Sequence, residues 1–193
     1  MIVEGIVTSL DSAGLVNVAP MGPIVEPGFS TLRLRPYQTS RTYQNLKLHR
    51  QGVFHVVDDV LLLARAAIGE LTQLPELMPA EKISGQVIKS ACRWYEFEVI
   101  ELNDANERTD ILTRVVHMGR LNDFTGFNRA KHAVLEAAIL ATRVHLLSRD
   151  YLVQEYDRLQ VPLEKTAGPA ELEAFALLRD FVRRRLEELD VKP

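Results

Sequence analysis

The sequence predicts a β-rich α+β protein, with a barrel-like β domain over residues 1–120 and a helical segment over residues 121–193. Three observations predict it. Runs rich in Val, Ile and Thr, which suit a pleated surface, alternate with Gly, Pro and Asp turn signals as far as Gly119. The chain then becomes Ala-rich over residues 128–148. Near the end, Leu172, Phe175, Leu178, Val182, Leu186 and Leu189 recur at spacings of three and four, the stripe of an amphipathic helix.

Residues 2–10 read as the first strand, and Asp11-Ser12-Ala13-Gly14 as a turn in which Asp bonds its own backbone and Gly takes positive φ. Residues 15–19 return as a second strand, broken by Pro20-Met21-Gly22-Pro23. After the Pro27-Gly28 turn, residues 29–34 form a third strand, which Pro36 ends because proline has no amide hydrogen for a ladder. A short helix follows, with Thr39 or Ser40 as its N-cap and Gly52 as its stop. Residues 53–57 are a fourth strand, and Asp58 or Asp59 caps a helix over 60–68 that Gly69 ends. Residues 71–80 contain Pro75 and Pro79 and read as loop. Residues 92–102 and 108–117 form a hairpin about Asn103-Asp104-Ala105-Asn106. Three helices follow: 128–148, then 149–159, stopped before Pro162, then one opening at Gly168-Pro169. Arg183, Arg184 and Arg185 fall near the end of the last helix, where cations are favourable.

The chain has 193 residues, of which 47% are apolar, enough for one ordinary domain with a helical appendage. Its net charge of -3 argues against a generic nucleic-acid or anionic-membrane binder. A single cysteine, Cys92, excludes an intrachain disulfide and a multi-cysteine metal cage, and its place in a strand pattern suits an inert buried thiol. The first residues lack a basic targeting region, and the apolar stretches 60–68 and 133–147 are interrupted by charge, so a cytoplasmic protein is expected. His49, His55, His117, His132 and His145 show no metal-ligand spacing, so no metal is expected, and no nucleophile-elbow or phosphate-loop fingerprint occurs. His55, between Phe54 and Val56, is either structural or ligand-facing.

Three segments carry candidate chemistry. In residues 31–45 a strand bearing Arg33 and Arg35 runs through a proline turn into a helix start rich in hydroxyls, Thr39, Ser40 and Thr42, followed by Asn45. Helix N-termini present unpaired amide hydrogens and partial positive charge. With Arg35 or Arg41 added, such a start suits a phosphate monoester; the plainer alternative is a capped helix with solvated arginines. Residues 17–22, Asn17 to Met21 and Gly22, end a strand in Pro and Gly, where backbone can approach a planar ligand, or simply turn. Residues 126–132 place Asn128, Arg129 and Lys131 at a second helix start, a polar closure or a plain cap.

In this order, Asn17-Val-Ala-Pro-Met-Gly22, Arg35-Pro-Tyr-Gln-Thr-Ser-Arg-Thr-Tyr-Gln-Asn-Leu46, Gly52-Val-Phe-His-Val-Val-Asp-Asp59, Trp94-Tyr-Glu-Phe-Glu98 and Gly126-Phe-Asn-Arg-Ala-Lys131 resemble the FMN-binding split-barrel superfamily. The resemblance is closest to its branch called domain of unknown function 447. It implies a six-stranded antiparallel split β-barrel, flavin-reductase-like, that forms a homodimer with FMN between subunits. It places the phosphate on Ser40, Arg41 and Thr42, with Arg35 and Asn45 nearby, and the isoalloxazine by Asn17, Met21 and Gly22. It sets His55 against the ligand and has Asn128, Arg129 and Lys131 close the site. It implies a flavin-dependent oxidoreductase or a non-catalytic FMN carrier. Because the branch occurs in organisms that use tetrahydromethanopterin, it also suggests a role near that one-carbon pathway. No nucleic-acid or membrane partner is implied.

Overall fold

The computed structural model describes residues 1–190, which divide into two compact units. The first comprises residues 1–58 and 73–124. It contains β1 (Gly5–Leu10), β2 (Val16–Met21), β3 (Ile24–Val25), β4 (Thr31–Leu34), α1 (Arg41–His49), β5 (Gln51–Val56), β6 (Leu77–Pro79), β7 (Gln86–Ile88), β8 (Arg93–Asn103) and β9 (Asp110–Arg120).

Seven of these strands form one antiparallel sheet in the order β2-β1-β5-β8-β9-β4-β3. The sheet curls on itself through the N-terminal residues. Ile2 bridges Ile24, the Val25 amide donates to Met1 O at 2.8 Å and the Val3 amide to Pro23 O at 3.2 Å, and the chain then enters β1 near the other edge. Val7, Leu32, Leu34, Leu46, Phe54, Phe97 and Ile111, all fully buried, form the core inside the curl.

The sheet has seven strands where six were expected, because the chain divides at Gly22-Pro23 and β3 pairs separately with β4. Pro20 does not break β2. It pairs with Ile6 in an edge strand, where a missing donor is tolerated. Gly52 does not stop α1 but lies inside β5; the helix ends at Arg50, in the left-handed region at φ 59°. The Arg50 guanidinium donates to Val99 O and Ile100 O, which hold that conformation.

The stretch read as loop contains β6, which pairs with β7 as a separate two-stranded ribbon. Val87 and Ile83 pack with Val53 and Trp94 of the sheet. Glu96 fastens the segment that joins the ribbon strands. This fully buried carboxylate accepts the amides of Glu81 (2.8 Å) and Lys82 (2.7 Å) and the Trp94 indole N–H (3.2 Å). Burial pushes its pKa up, but the two amides, the indole and the nearby His117 together hold it below the usual carboxylate range.

The second unit comprises residues 59–72 and the chain from Thr125 onward. It contains α2 (Val60–Ala67), α3 (Arg129–Ala141), α4 (Arg149–Thr166) and α5 (Pro169–Asp190). The caps are the short polar residues suited to that position: Asp59, Asn128 and Ser148 accept first-turn amides of α2, α3 and α4. Phe175, Leu178, Val182 and Leu186 of the α5 stripe are buried, whereas Leu172 and Leu189 are exposed; Ala174 and Glu171 fill the buried face instead.

The helix expected to stop before Pro162 continues to Thr166. Proline inside a helix costs about 3 kcal/mol. Here Leu159 and Leu163 on either side are buried, and the Thr166 hydroxyl donates to Pro162 O at 2.8 Å, so packing overrides the local preference. Among the described residues no helix is long and apolar enough to cross a membrane.

Candidate functional site

The start of α1 gathers several of the candidate residues of the barrel unit. Ser40 caps it: its Oγ accepts the Tyr43 amide at 3.2 Å and donates to Tyr37 O at 2.7 Å, and its carbonyl accepts the Gln44 amide. The Arg41 and Thr42 amides precede the helical ladder and meet no acceptor among the described residues. No acidic side chain lies in the first turn to neutralise this end of the helix.

Two anchors hold α1 against the β1–β2 hairpin. Asn17 Nδ2 donates to Thr42 Oγ1 at 3.2 Å, and Asn45 Nδ2 donates to Ser9 Oγ at 3.0 Å. Thr42 and Asn45 are both buried. Because Thr42 Oγ1 accepts from Asn17, its own proton remains available to a further acceptor.

The other side of the loop is fixed to the β8–β9 turn. Gln38 donates to Asp104 O and Asn106 O, the Thr109 hydroxyl donates to Pro36 O, and the Tyr43 hydroxyl donates to Asp104 Oδ2 at 2.6 Å. Tyr43 and Lys47 hold the Asp104 carboxyl below its ordinary pKa, and Asp104 with Tyr43 raises Lys47. Arg35 and Arg41 make no ion pair among the described residues, so both guanidiniums remain available beside the loop.

The structure therefore brings Asn17, Ser40, Thr42 and Asn45 together, although Asn17 faces the start of α1 rather than standing free by a ring. Met21 packs on the barrel core. Gly22 sits where a Cβ would lie 2.7 Å from the Glu4 carboxylate, so a side chain there would displace Glu4.

His55 corrects the expectation of a ligand-facing residue. It is fully buried; Nδ1 donates to Ile6 O and Nε2 accepts the Ile88 amide, each at 3.1 Å, so both ring nitrogens are committed to backbone. Burial lowers its pKa to about 4, so the ring is neutral.

Asn128, Arg129 and Lys131 belong to the helical unit. Asn128 is fully engaged there: its Oδ1 accepts the Ala130 and Lys131 amides, and its Nδ2 donates to Thr166 O at 3.0 Å. The Lys131 ammonium donates to Thr125 Oγ1 at 3.1 Å. Sequence reasoning missed Glu96, whose amide partners Glu81 and Lys82 lie just past the segment read as loop. Tyr95 lines a surface depression with Arg93, Met118, Gly119 and Arg120.

Residues 3–122 match the N-terminal domain of the family described as protein of unknown function (DUF447), and residues 128–180 match a second domain of that family. Among solved structures, the chain is similar to an FMN-bound DUF447 protein from Methanosarcina mazei, with 24% identity over 93% of this chain and 94% of that one and a TM-score of 0.75. It is similar to an FMN-binding protein from Thermus thermophilus at 14% identity, over 65% of this chain and 75% of that one, with a TM-score of 0.52. An NADH:FAD oxidoreductase from Streptomyces globisporus aligns at 14% identity over 61% and 69% of the two chains, with a TM-score of 0.51. These likenesses carry the fold, a flavin-reductase-like split barrel followed by helices. With both parts of the family matched in order over most of its length, the chain belongs to the DUF447 family.

Proposed function

We propose that this protein binds FMN and works as a flavin-dependent oxidoreductase, with the cofactor phosphate at the start of α1. The observation that carries this reading is the set of uncommitted donors there: the Arg41 and Thr42 amides, the Thr42 hydroxyl and the Arg35 and Arg41 guanidiniums. A dianionic phosphate monoester satisfies all of them at once. The FMN-bound relative from Methanosarcina mazei supports the choice of ligand.

Bound FMN supplies two-electron redox chemistry. The chain's part is to hold the phosphate on α1 and to present Met21 and Gly22 to the ring. Asn17 and Asn45 act indirectly, by fixing Thr42 and the helix to the β1–β2 hairpin. In this reading two copies associate with the cofactor between them.

A thermal-shift comparison tests the ligand. FMN raises Tm more than riboflavin does, because a ligand that binds the native state stabilises it in proportion to RT ln(1 + [L]/Kd). Replacing Ser40 and Thr42 by Ala weakens FMN much more than riboflavin; equal weakening would place the phosphate elsewhere. Anaerobic addition of NADH or NADPH tests turnover. Bleaching of the FMN-loaded protein supports an oxidoreductase, and an unbleached flavin with either donor and with a reduced deazaflavin rejects it.

One observation favours a second reading, a non-catalytic FMN carrier: residues 35–45 contain no carboxylate, histidine or cysteine. Tight FMN binding without turnover supports the carrier. A place near tetrahydromethanopterin-dependent one-carbon transfer belongs to the same reading.

A further inference from the structure

The core-facing side of the β8–β9 hairpin carries a second polar arrangement, at the end away from the turn that holds the α1 loop. Arg93 and Arg120 are directly opposed in the register, and the next pair on the same face is Tyr95 with Met118. Like charges directly opposite one another destabilise a sheet. Asp123 pairs with Arg120, but the Arg93 guanidinium has no partner among the described residues. Arg93 is exposed, and its charge sits beside an aromatic surface rather than among carboxylates.

Tyr95 provides that surface. It is only 4% exposed and is braced from behind by Phe29, stacked at 4.6 Å and 12°, and by Phe54 at 6.2 Å. Met118, by contrast, is 57% exposed on a strand otherwise half buried here. Gly119 completes the lining with bare backbone, because the Trp94 indole fills the space where its Cβ would stand. The depression has a volume of about 240 Å³. That is below the roughly 300 Å³ at which sites for drug-sized ligands begin, so it suits one ring.

We propose that this depression binds a small aromatic carboxylate, with the carboxylate on Arg93 beside Arg120 and the ring against Tyr95 and Met118. Arginine offers a planar fork that matches a carboxylate in two hydrogen bonds. A thioether and a tyrosine edge give an aromatic ring adaptable apolar contact. No acid, methionine or arginine of the α1 loop takes part, so the site stands whether or not FMN binds there.

Calorimetric titration with benzoate tests it. Saturable binding is expected to wild-type protein, weakened about tenfold or more in Arg93→Gln, since a hydrogen bond between charged groups contributes about 1.5–3 kcal/mol. Cyclohexanecarboxylate binds more weakly than benzoate, and benzyl alcohol does not bind measurably. Arg93 is exposed and opposes Arg120, so Arg93→Gln does not lower Tm. Equal affinity for benzoate in wild type and Arg93→Gln, or no saturation at millimolar benzoate, overturns the proposal. So does a loss of self-association in Arg93→Gln during sedimentation, which would make a carboxylate of a second copy the occupant.

Discussion

The Glu96 carboxylate and the start of α1 are both polar sites set into the same barrel unit, and they differ in what their partners leave over. Around Glu96, two backbone amides and an indole N–H converge on one carboxylate, all within the protein. Around α1, Asn17 and Asn45 satisfy the buried side chains, while the Arg41 and Thr42 amides meet no acceptor among the described residues. The first arrangement is complete and holds a ribbon. The second leaves donors facing outward, and under the proposed function an anion takes them. Burial alone does not distinguish a binding site from a structural clasp; the balance of donors against acceptors does.

The sharpest way to break this contrast is to remove the Glu96 carboxylate. Glu96→Ala strands the buried Trp94 indole N–H, at about 1–3 kcal/mol, and the part-buried Glu81 and Lys82 amides, at about 1 kcal/mol each because water can reach them, so urea denaturation should report a loss of about 3–5 kcal/mol. Glu96→Gln should lose less, because one oxygen still accepts. The discrimination of FMN from riboflavin should survive in whatever fraction folds. A stability change under 1 kcal/mol in Glu96→Ala would show that the ribbon does not depend on the clasp.

Acid titration separates the two structural polar groups of the barrel. His55 has a depressed pKa of about 4 against 6.5 in the unfolded chain. Above pH 6.5 it contributes no pH dependence. As pH falls from 6.5 to about 4, the unfolded state takes up the proton first, so stability declines by up to about 3 kcal/mol and then levels. Glu96 acts lower. Its folded pKa is below the ordinary value of 4.5, so its contribution is full above that value and is lost as pH falls through the folded one. Unfolding free energy measured between pH 7 and 3 should therefore fall in two stages. A flat profile from pH 6.5 to 4.5 would mean that the His55 ring is not held neutral.

Both groups also mark where the sequence could and could not be read. The caps Ser40 and Asp59 were legible to within one residue, and Asn128 as one of two readings, because a cap is a local bond, spanning two or three residues. The β8–β9 hairpin was legible for the same reason. The β6–β7 ribbon was not, since Pro75 and Pro79 give a loop composition and the fastening group, Glu96, lies 14 and 15 residues from the amides it accepts. His55 failed likewise: its partners are 49 and 33 residues away. One signal was present. Val53, Phe54 and His55 are buried in succession, which happens only where both faces of a strand are covered, and the near-continuous apolar run 53–57 fits such a strand. At the candidate site, the residue types of 35–45 were readable, but that Asn17 supports Thr42 from 25 residues away was not.

The smallest effects should come from the α1 start, and they sharpen the comparison by what they leave unchanged. Ser40→Ala removes a half-buried cap and should cost about 1 kcal/mol of stability. Asn17→Ala is subtler. Its amide donates to Thr42 Oγ1 at 3.2 Å, which directs the threonine proton away from β2 and towards an incoming acceptor. Removing it should cost about 1 kcal/mol, the ordinary worth of one neutral hydrogen bond. FMN affinity should then fall a few-fold while riboflavin affinity holds, because Thr42 keeps its hydroxyl but loses its orientation. Thr42→Val, which deletes the hydroxyl itself, should abolish the further effect of Asn17→Ala, so a double-mutant cycle on FMN binding should give a coupling close to the whole single-mutant loss. Independent, additive losses would mean that Asn17 touches the ligand directly, as a residue beside the ring would.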